Sequence, residues 1–359
     1  MSSAKFSSSH NKAVKDMLKP YELLAPEFHA LCDSFSNLML YSASKPTWAK
    51  HCSAWKLYNE FCKQFGVSFT FPITHQYVRA FATWATMDKK LKSTTVKSYI
   101  SSLNVAHTMG NVDYPNLSSD ACTKMVVKGA KNYCDPGLKS ATVRIPMDIN
   151  LLTILGHKIS KLEWSDFAKQ VFWSACTTSF FSSCRMGEIL SPNEKTFDPS
   201  TGLLWGNVKF FREKEVIMFI PYTKTTAFEG KFIELYPIKG SRLCPASALI
   251  RLKEMAESEG VWDCKKPVFM FKSGKLLTKN KLNLWLNNLL GEFMDSNHVI
   301  SGHSFRAAIP SLLASNPDRD TAKWIQEWGG WSSDSFHLYT KNKREERKSL
   351  FEKIVSSIM

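Results

Sequence analysis

The feature that most constrains this chain is the stretch Ser165–Ser183, SDFAKQVFWSACTTSFFSS. It has helical character and is apolar or small on nearly every side, so as a helix it has no face to offer water and is expected at the centre of a core. It runs into SSCRMGEIL, which places Arg185 just beyond the apolar run and Glu188 three residues on. An arginine leaving a buried helix is costly unless an anion meets it, and Glu188 is positioned to orient it.

The segments around this helix mix element types. Residues 149–161 show helical spacing, and 203–211, 215–222 and 231–236 are short runs rich in Val, Ile and Phe that read as strands. Helices are expected again at 245–257, 279–293, around Phe305, at 321–328 and at 333–341. The tail KREERKSLFEKIVSSIM reads as an amphipathic helix with Leu350, Phe351, Ile354, Val355 and Ile358 on one side. That face can pack on its own domain or dock into a neighbouring protomer, and the pattern favours neither.

The first half is helical throughout. Ser44 and Pro46 suit a helix start, followed at helical spacing by Trp48, Cys52, Trp55, Tyr58, Cys62 and Phe65 and stopped by Gly66. Further helices carry Tyr77, Phe81, Trp84 and Met87, then Val96, Ile100, Leu103 and Ala106, then Cys122, Met125, Val126, Ala130 and Tyr133, the last with Ser118 as its expected cap. Such short helices make a compact bundle. DPGLKSATVRIP, with two prolines and a glycine, reads as a linker. The expected organisation is an N-terminal arm with a short helix (1–43), a helical domain (44–135), a linker (136–146), a mixed domain (147–344) and the C-terminal helix (345–359). The expected fold class is mainly α with a small antiparallel β-sheet.

Charge narrows the partner. Lys and Arg outnumber Asp and Glu by 47 to 32. The excess is spread along the chain, with 17 basic against 9 acidic residues in 1–140 and 30 against 23 in the remainder. This suits a polyanion approached from both halves. A membrane surface is disfavoured because no basic amphipathic anchor or long apolar run occurs. The nine cysteines show no C-x-x-C pair and sit mostly in apolar segments, as buried thiols in a reducing compartment do. MSSAKFSSSHNK lacks the apolar core of a signal peptide, so secretion is not expected. Candidate polyanion contacts in the helical domain are Lys50, Lys56, Lys89, Lys90, Lys92 and Lys97, with Lys124 and Lys128 on similar polar faces.

Chemistry concentrates in SGHSFRAAIPSLLASNPDRDTAKWIQEWGGWSSDSFHLYT, residues 301–340. His303 and Arg306, three apart, share a helix face. Together they can hold one phosphate, the arginine as a fork and the histidine as a hydrogen-bond donor. Trp331 follows a Gly-Gly pair, and Tyr339 offers a hydroxyl that could attack the phosphate. Upstream, YTKTTAFEG joins the second and third strands and carries Lys224, whose ammonium could reach a leaving oxygen.

Arg185, Lys224, His303-x-x-Arg306, Trp331 and Tyr339, in this order, resemble the tyrosine recombinase (integrase) family from about Ile149 to Lys343. SGHSFRAA is close to the family's HxxR signature, GGW resembles its Trp variant of the next position, and YTKT fits its β-hairpin lysine. The helical domain resembles the family's core-binding domain. The resemblance implies an α+β catalytic domain following that bundle, and double-stranded DNA as partner. It implies attack by Tyr339 on a scissile phosphate to leave a 3′-phosphotyrosine bond and a free 5′-hydroxyl. Arg185 and Arg306 would stabilise charge on the non-bridging oxygens, His303 and Trp331 would donate hydrogen bonds there, and Lys224 would protonate the 5′-oxygen, with Glu188 supporting from behind. A phenol of pKa near 10 needs such positive charge to react. Since electrostatic positioning dominates phosphoryl transfer, no metal, nucleotide or other cofactor is expected. Assembly as a homotetramer on two DNA sites is implied, as a C-shaped clamp on each duplex.

The wording of the chain resembles eukaryotic mobile-element recombinases of Crypton or DIRS type, which would place it in the nucleus, or in the cytoplasm for a host without one. Trp331 departs from the second histidine that most relatives carry. His337 matches no family position. Two other readings remain at this point: a DNA-binding protein derived from a recombinase that no longer cuts, and a type IB topoisomerase-like enzyme that relaxes supercoils.

Overall fold

The computed structural model describes residues 26–67, 72–109, 114, 116–134, 143–223 and 229–314. The chain divides into two compact units, Met1–Ser140 and Ala141–Met359. Among the described residues no helix is long and apolar enough to cross a membrane.

The first unit is helical: a 3-10 turn Pro26–Leu31, then α1 (Cys32–Tyr41), α2 (Lys45–Gln64), α3 (His75–Met87), α4 (Ser93–Met109) and α5 (Ala121–Cys134). Its core is aromatic, with Trp48, Tyr58, Phe61, Phe81 and Trp84 all buried. Tyr58 and Phe61 both meet Phe81 edge-on, at ring separations of 5.5 and 5.8 Å. The indoles at the edge keep their polar ends satisfied: Trp48 Nε1 donates to the Leu40 carbonyl at 2.8 Å and Trp84 Nε1 to Gln64 Oε1 at 3.0 Å. Helix α5 is capped by Asp120, which accepts from the Thr123 amide at 2.7 Å, and not by Ser118. Asp120 is preferred because it also takes a two-pronged bond from Arg79, at 2.9 and 2.8 Å. Arg79 and the Thr123 hydroxyl and amide hold its carboxyl well below the usual carboxylate range.

His107, on α4, is buried. Its Nε2 accepts from the Ile73 amide at 2.9 Å, which requires that nitrogen to be bare. Burial, reinforced by His75, pushes its pKa down to about 4. A group whose folded pKa lies below its unfolded value stabilises the fold in full above the unfolded pKa. That stability is lost as pH falls through the folded one. The fold should therefore lose about 2 kcal/mol through His107 between roughly pH 6.5 and 4. Urea midpoints of the full chain across that range, compared with those of His107→Gln, should show a shallower pH dependence in the variant; parallel curves would contradict it.

The second unit contains β1 (Val143–Arg144), α6 (Ile149–Ser160), α7 (Asp166–Ser182), α8 (Met186–Ile189), β2 (Val208–Phe210), β3 (Val216–Ile220), β4 (Lys231–Leu235), α9 (Pro245–Ser258), α10 (Lys279–Leu290), β5 (His298–Val299) and α11 (Gly302–Ala314). Helix α7 is the central element, buried on nearly every side, with α9 and α11 packed on it. Two of its polar residues tie it to α9: Gln170 Nε2 and Ser174 Oγ both donate to the Ala248 carbonyl, at 2.8 and 2.9 Å. The three strands form an antiparallel sheet in the order β2-β3-β4, with Val216, Met218 and Ile220 facing the core from β3.

Three expectations are corrected by local geometry. The first strand is confined to Val208–Phe210, because Trp205–Asn207 is a 3-10 turn held by Trp205 and Gly206 amides donating to the carbonyls of Lys266 and Cys264 at 3.0 and 2.7 Å. The segment read as a linker contains a strand: Val143 and Arg144 pair in parallel with His298 and Val299. The expected helix over 279–293 ends as a helix at Leu290 and finishes in a 3-10 turn. Of the described cysteines, Cys52, Cys62, Cys176, Cys184 and Cys244 are buried, whereas Cys122, Cys134 and Cys264 are exposed, and all are free. The helices expected at 321–328, 333–341 and 345–359 lie outside the described residues.

Candidate active site

The site begins where α7 stops. Ser183 adopts a left-handed conformation with φ of 50°, which costs a non-glycine residue on the order of 1 kcal/mol. The turn points the Ser183 carbonyl at α11, where it accepts from Arg306 Nη1 at 2.9 Å. Two residues on, Arg185 opens α8. Its amide donates to Glu188 Oε2 at 3.1 Å and its Nη1 to Glu188 Oε1 at 2.8 Å. Glu188 is buried while the Arg185 side chain keeps 30% of its surface exposed. The carboxylate thus anchors the arginine from behind and leaves its outer edge accessible.

Arg306 and His303 are placed by α11, whose start is tied down from several directions. A side chain at Gly302 would put its Cβ 2.4 Å from Met186 Cγ, so only glycine lets α11 approach α8 this closely. Asn283 Oδ1 on α10 accepts from the Gly302 amide at 2.8 Å. Asn287, one turn further along α10, exchanges two bonds with the Ile300 backbone, at 2.8 and 3.2 Å. The Ser304 carbonyl accepts from the Met147 amide at 3.0 Å.

The electrostatics point to an anion. Arg306 is only 4% exposed. Burial and then the neighbouring Arg185 push its pKa down to about 10, against an opposing pull from Glu188. His303 is exposed, and its pKa is lowered by partial desolvation and then by Arg144, Arg306, Lys279 and Arg185. Lys231, at the start of β4, stands 3.7 Å from Glu188 Oε2. Among the described residues, Arg185 and Lys231 therefore meet at Glu188, and Arg144, Arg306 and Lys279 gather with Arg185 around the His303 imidazole. Such a surplus of positive charge, with Arg306 itself buried, is stabilised by a bound anion, and two guanidinium groups with an imidazole suit the tetrahedral oxygens of a phosphodiester.

Of the expected site residues, Arg185, Glu188, His303 and Arg306 are brought together. Lys224, Trp331, Tyr339 and His337 lie outside the described residues. Lys50, Lys56, Lys89, Lys90, Lys92 and Lys97 are all exposed on the first unit. Lys89 is already engaged, paired with Glu60 and lying over the Trp84 ring at 5.0 Å. Residues missed from sequence are Arg144, Lys231 and Lys279, and the two asparagines of α10. Arg144 sat in an apparent linker and Lys231 in a strand. Asn283 and Asn287, four apart on the helix LNLWLNNLL, were the one visible signal, since buried amides on an apolar helix need partners. Among the described residues no group of three or more His, Cys, Asp or Glu side chains is placed to hold a metal ion.

No family model matches the sequence, and no curated protein does. Solved structures do match in fold. XerH site-specific recombinase bound to a palindromic difH substrate, in a post-cleavage complex, superposes with a TM-score of 0.54 at 15% identity, covering 97% of this chain and 94% of that one. A lambda integrase dimer bound to a COC′ core site gives 0.53 at 13% identity, covering 88% and 95%. A lambda integrase tetramer bound to a Holliday junction gives 0.50 at 11%, covering 88% and 77%. The chain has the tyrosine recombinase fold.

Proposed function

We propose that this chain is a site-specific DNA recombinase that cuts and rejoins strands through a 3′-phosphotyrosine intermediate. The observation that carries this is the convergence of Arg185 and the His303–Arg306 pair, from two separate stretches of sequence, on one electropositive site backed by Glu188. Arg185 and Arg306 hold the non-bridging oxygens of the scissile phosphate, and His303 donates to the same group. Trp331 adds its indole N–H, Lys224 protonates the leaving 5′-oxygen and Tyr339 attacks. The phosphotyrosine conserves the energy of the broken diester, so rejoining needs no nucleotide. Double-stranded DNA is the partner. The structural neighbours include a tetramer on a Holliday junction, in keeping with a homotetramer acting on two sites here. Residues 44–135 serve as the core-binding domain and 147–344 as the catalytic domain. The chain belongs to a mobile element and acts in the nucleus where its host is eukaryotic and in the cytoplasm otherwise.

The test is a duplex drawn from the termini of the encoding element and nicked beside the candidate cleavage position, so that the released fragment diffuses away. The unsubstituted protein should accumulate a denaturant-resistant adduct on the 3′-phosphate side, with chelator present. Tight binding without an adduct would favour a non-cutting derivative. Relaxation of plasmids lacking any specific site would favour the topoisomerase-like reading.

A further inference from the structure

We infer that Lys231 is a positioning residue of the cleavage site, one that keeps Arg185 free to receive the phosphate; this rests on the recombinase reading above. Lys231 opens β4, directly opposite Ile220 of β3. The preceding Gly230 has φ of +65°, and a Cβ there would stand 2.5 Å from the Ile220 carbonyl oxygen. The hairpin thus closes on its own strand at the one residue type that permits it, and this fixes where the Lys231 side chain starts. That side chain is only 18% exposed, and its ammonium is directed at Glu188, whose side chain is 5% exposed.

An ammonium on a strand need not be buried, and withdrawing this one from water requires a return. The return lies in how Glu188 divides its oxygens. Oε1 accepts from Arg185 Nη1, and Oε2 accepts from the Arg185 amide and faces Lys231. Among the described residues the Arg185 side chain makes no other hydrogen bond, so its Nε and Nη2 donors are left for a ligand. Without Lys231, Glu188 would lose the second of its two cations, the one at Oε2. Glu188 would then draw the Arg185 guanidinium into a two-pronged pair, the geometry that arginine and carboxylate prefer. Both arginine edges would be spent on the protein, and the carboxylate's uncompensated charge would repel the incoming phosphate. Lys231 therefore acts through Glu188 on Arg185, and it is distinct from the proton donor assigned to Lys224.

The experiment uses the full chain and two nicked duplexes, one with an ordinary scissile phosphate and one with sulfur replacing the 5′-bridging oxygen. Sulfur leaves without protonation, so it bypasses a missing proton donor but not a misplaced arginine. Lys231→Met should slow single-turnover adduct formation by about 10²-fold, as small displacements of reacting groups do. The loss should be similar on both duplexes. Lys231→Arg should restore the rate to within a few fold. Removing the excess charge as well, in Lys231→Met with Glu188→Gln, should recover part of the rate lost by Lys231→Met alone. The inference is overturned by a Lys231→Met rate within twofold of the parent, by full rescue with the sulfur duplex, or by a double variant as slow as additivity demands. Should Lys231→Met not fold, Lys231→Arg decides alone: a well-folded but inactive arginine variant contradicts the role. Failure of the unsubstituted protein to cut either duplex would instead remove the recombinase reading, and this inference with it.

Discussion

Arg306→Ala should abolish nearly all strand cleavage, by about a thousandfold, while leaving the fold intact. The loss follows from removing a fixed donor aimed at charge that builds up in the transition state; one such donor is commonly worth 10²–10³ in rate. A full guanidinium charge at a site only 4% exposed lies at the upper end. The stability half of the expectation is less usual for a buried residue. Burial and Arg185 push the Arg306 pKa well below the usual guanidinium range, to about 10, which corresponds to a cost on the order of 3 kcal/mol for holding the charge in the folded state at neutral pH. The sign follows from linkage: a depressed folded pKa means stability is present above the unfolded pKa and lost below it, so at pH 7 this cost is fully incurred. Alanine removes that cost, and against it loses the hydrogen bond to the Ser183 carbonyl, worth about 1 kcal/mol, together with the residue's other contacts and packing. Thermal unfolding should therefore shift by no more than a few degrees. Arg306→Lys should stay slow, since an ammonium cannot span two phosphate oxygens as the planar fork does. A variant that cuts at the parental rate, or one that melts far earlier, would contradict this account of the residue.

Tyr339→Phe should eliminate the covalent adduct altogether while leaving duplex affinity within about twofold. The phenolic oxygen is the only part removed, and it contributes a bond to phosphorus rather than a binding contact. The surrounding cations, which supply the attraction for the phosphate, remain in place. Electrophoretic mobility of the complex should be unchanged, and denaturation should release all of the DNA. An adduct in Tyr339→Phe equal to that of the parent would assign the nucleophile elsewhere, with Tyr222 the first candidate because it precedes Lys224 by two residues.

Legibility in the sequence followed the length scale of the cause. Helix α7 was readable because its apolar character is nearly continuous, and its burial on nearly every side is what that character demands. The aromatic periodicity of α2 and α3 was equally plain, and Trp48, Tyr58, Phe81 and Trp84 form the core it implied. Where a residue's role depends on distant partners, local pattern said little. Asp120 displaced Ser118 as a cap because Arg79, on another helix, engages it. The two-residue strand Val143–Arg144 exists only because His298–Val299 offers it an edge, and no periodicity can appear in two residues. At the site, Arg185, Glu188, His303 and Arg306 stood out through motif and spacing. Arg144, Lys231 and Lys279 did not, since ordinary basic residues become part of a site only when the fold carries them there. The Lys231 side chain is identified by its distance to Glu188 and by nothing in its neighbours along the chain.

The account turns on whether this cluster of cations serves a diester that a phenol attacks. The direct measurement is to trap the unsubstituted protein on a nicked duplex, digest both components, and identify by mass spectrometry the peptide that retains a nucleotide. The peptide should contain Tyr339 joined through its side-chain oxygen to a 3′-phosphate, and the released strand should carry a 5′-hydroxyl. A nucleotide on any other residue, a 5′-phosphate linkage, or strand breakage with no protein attached would contradict it.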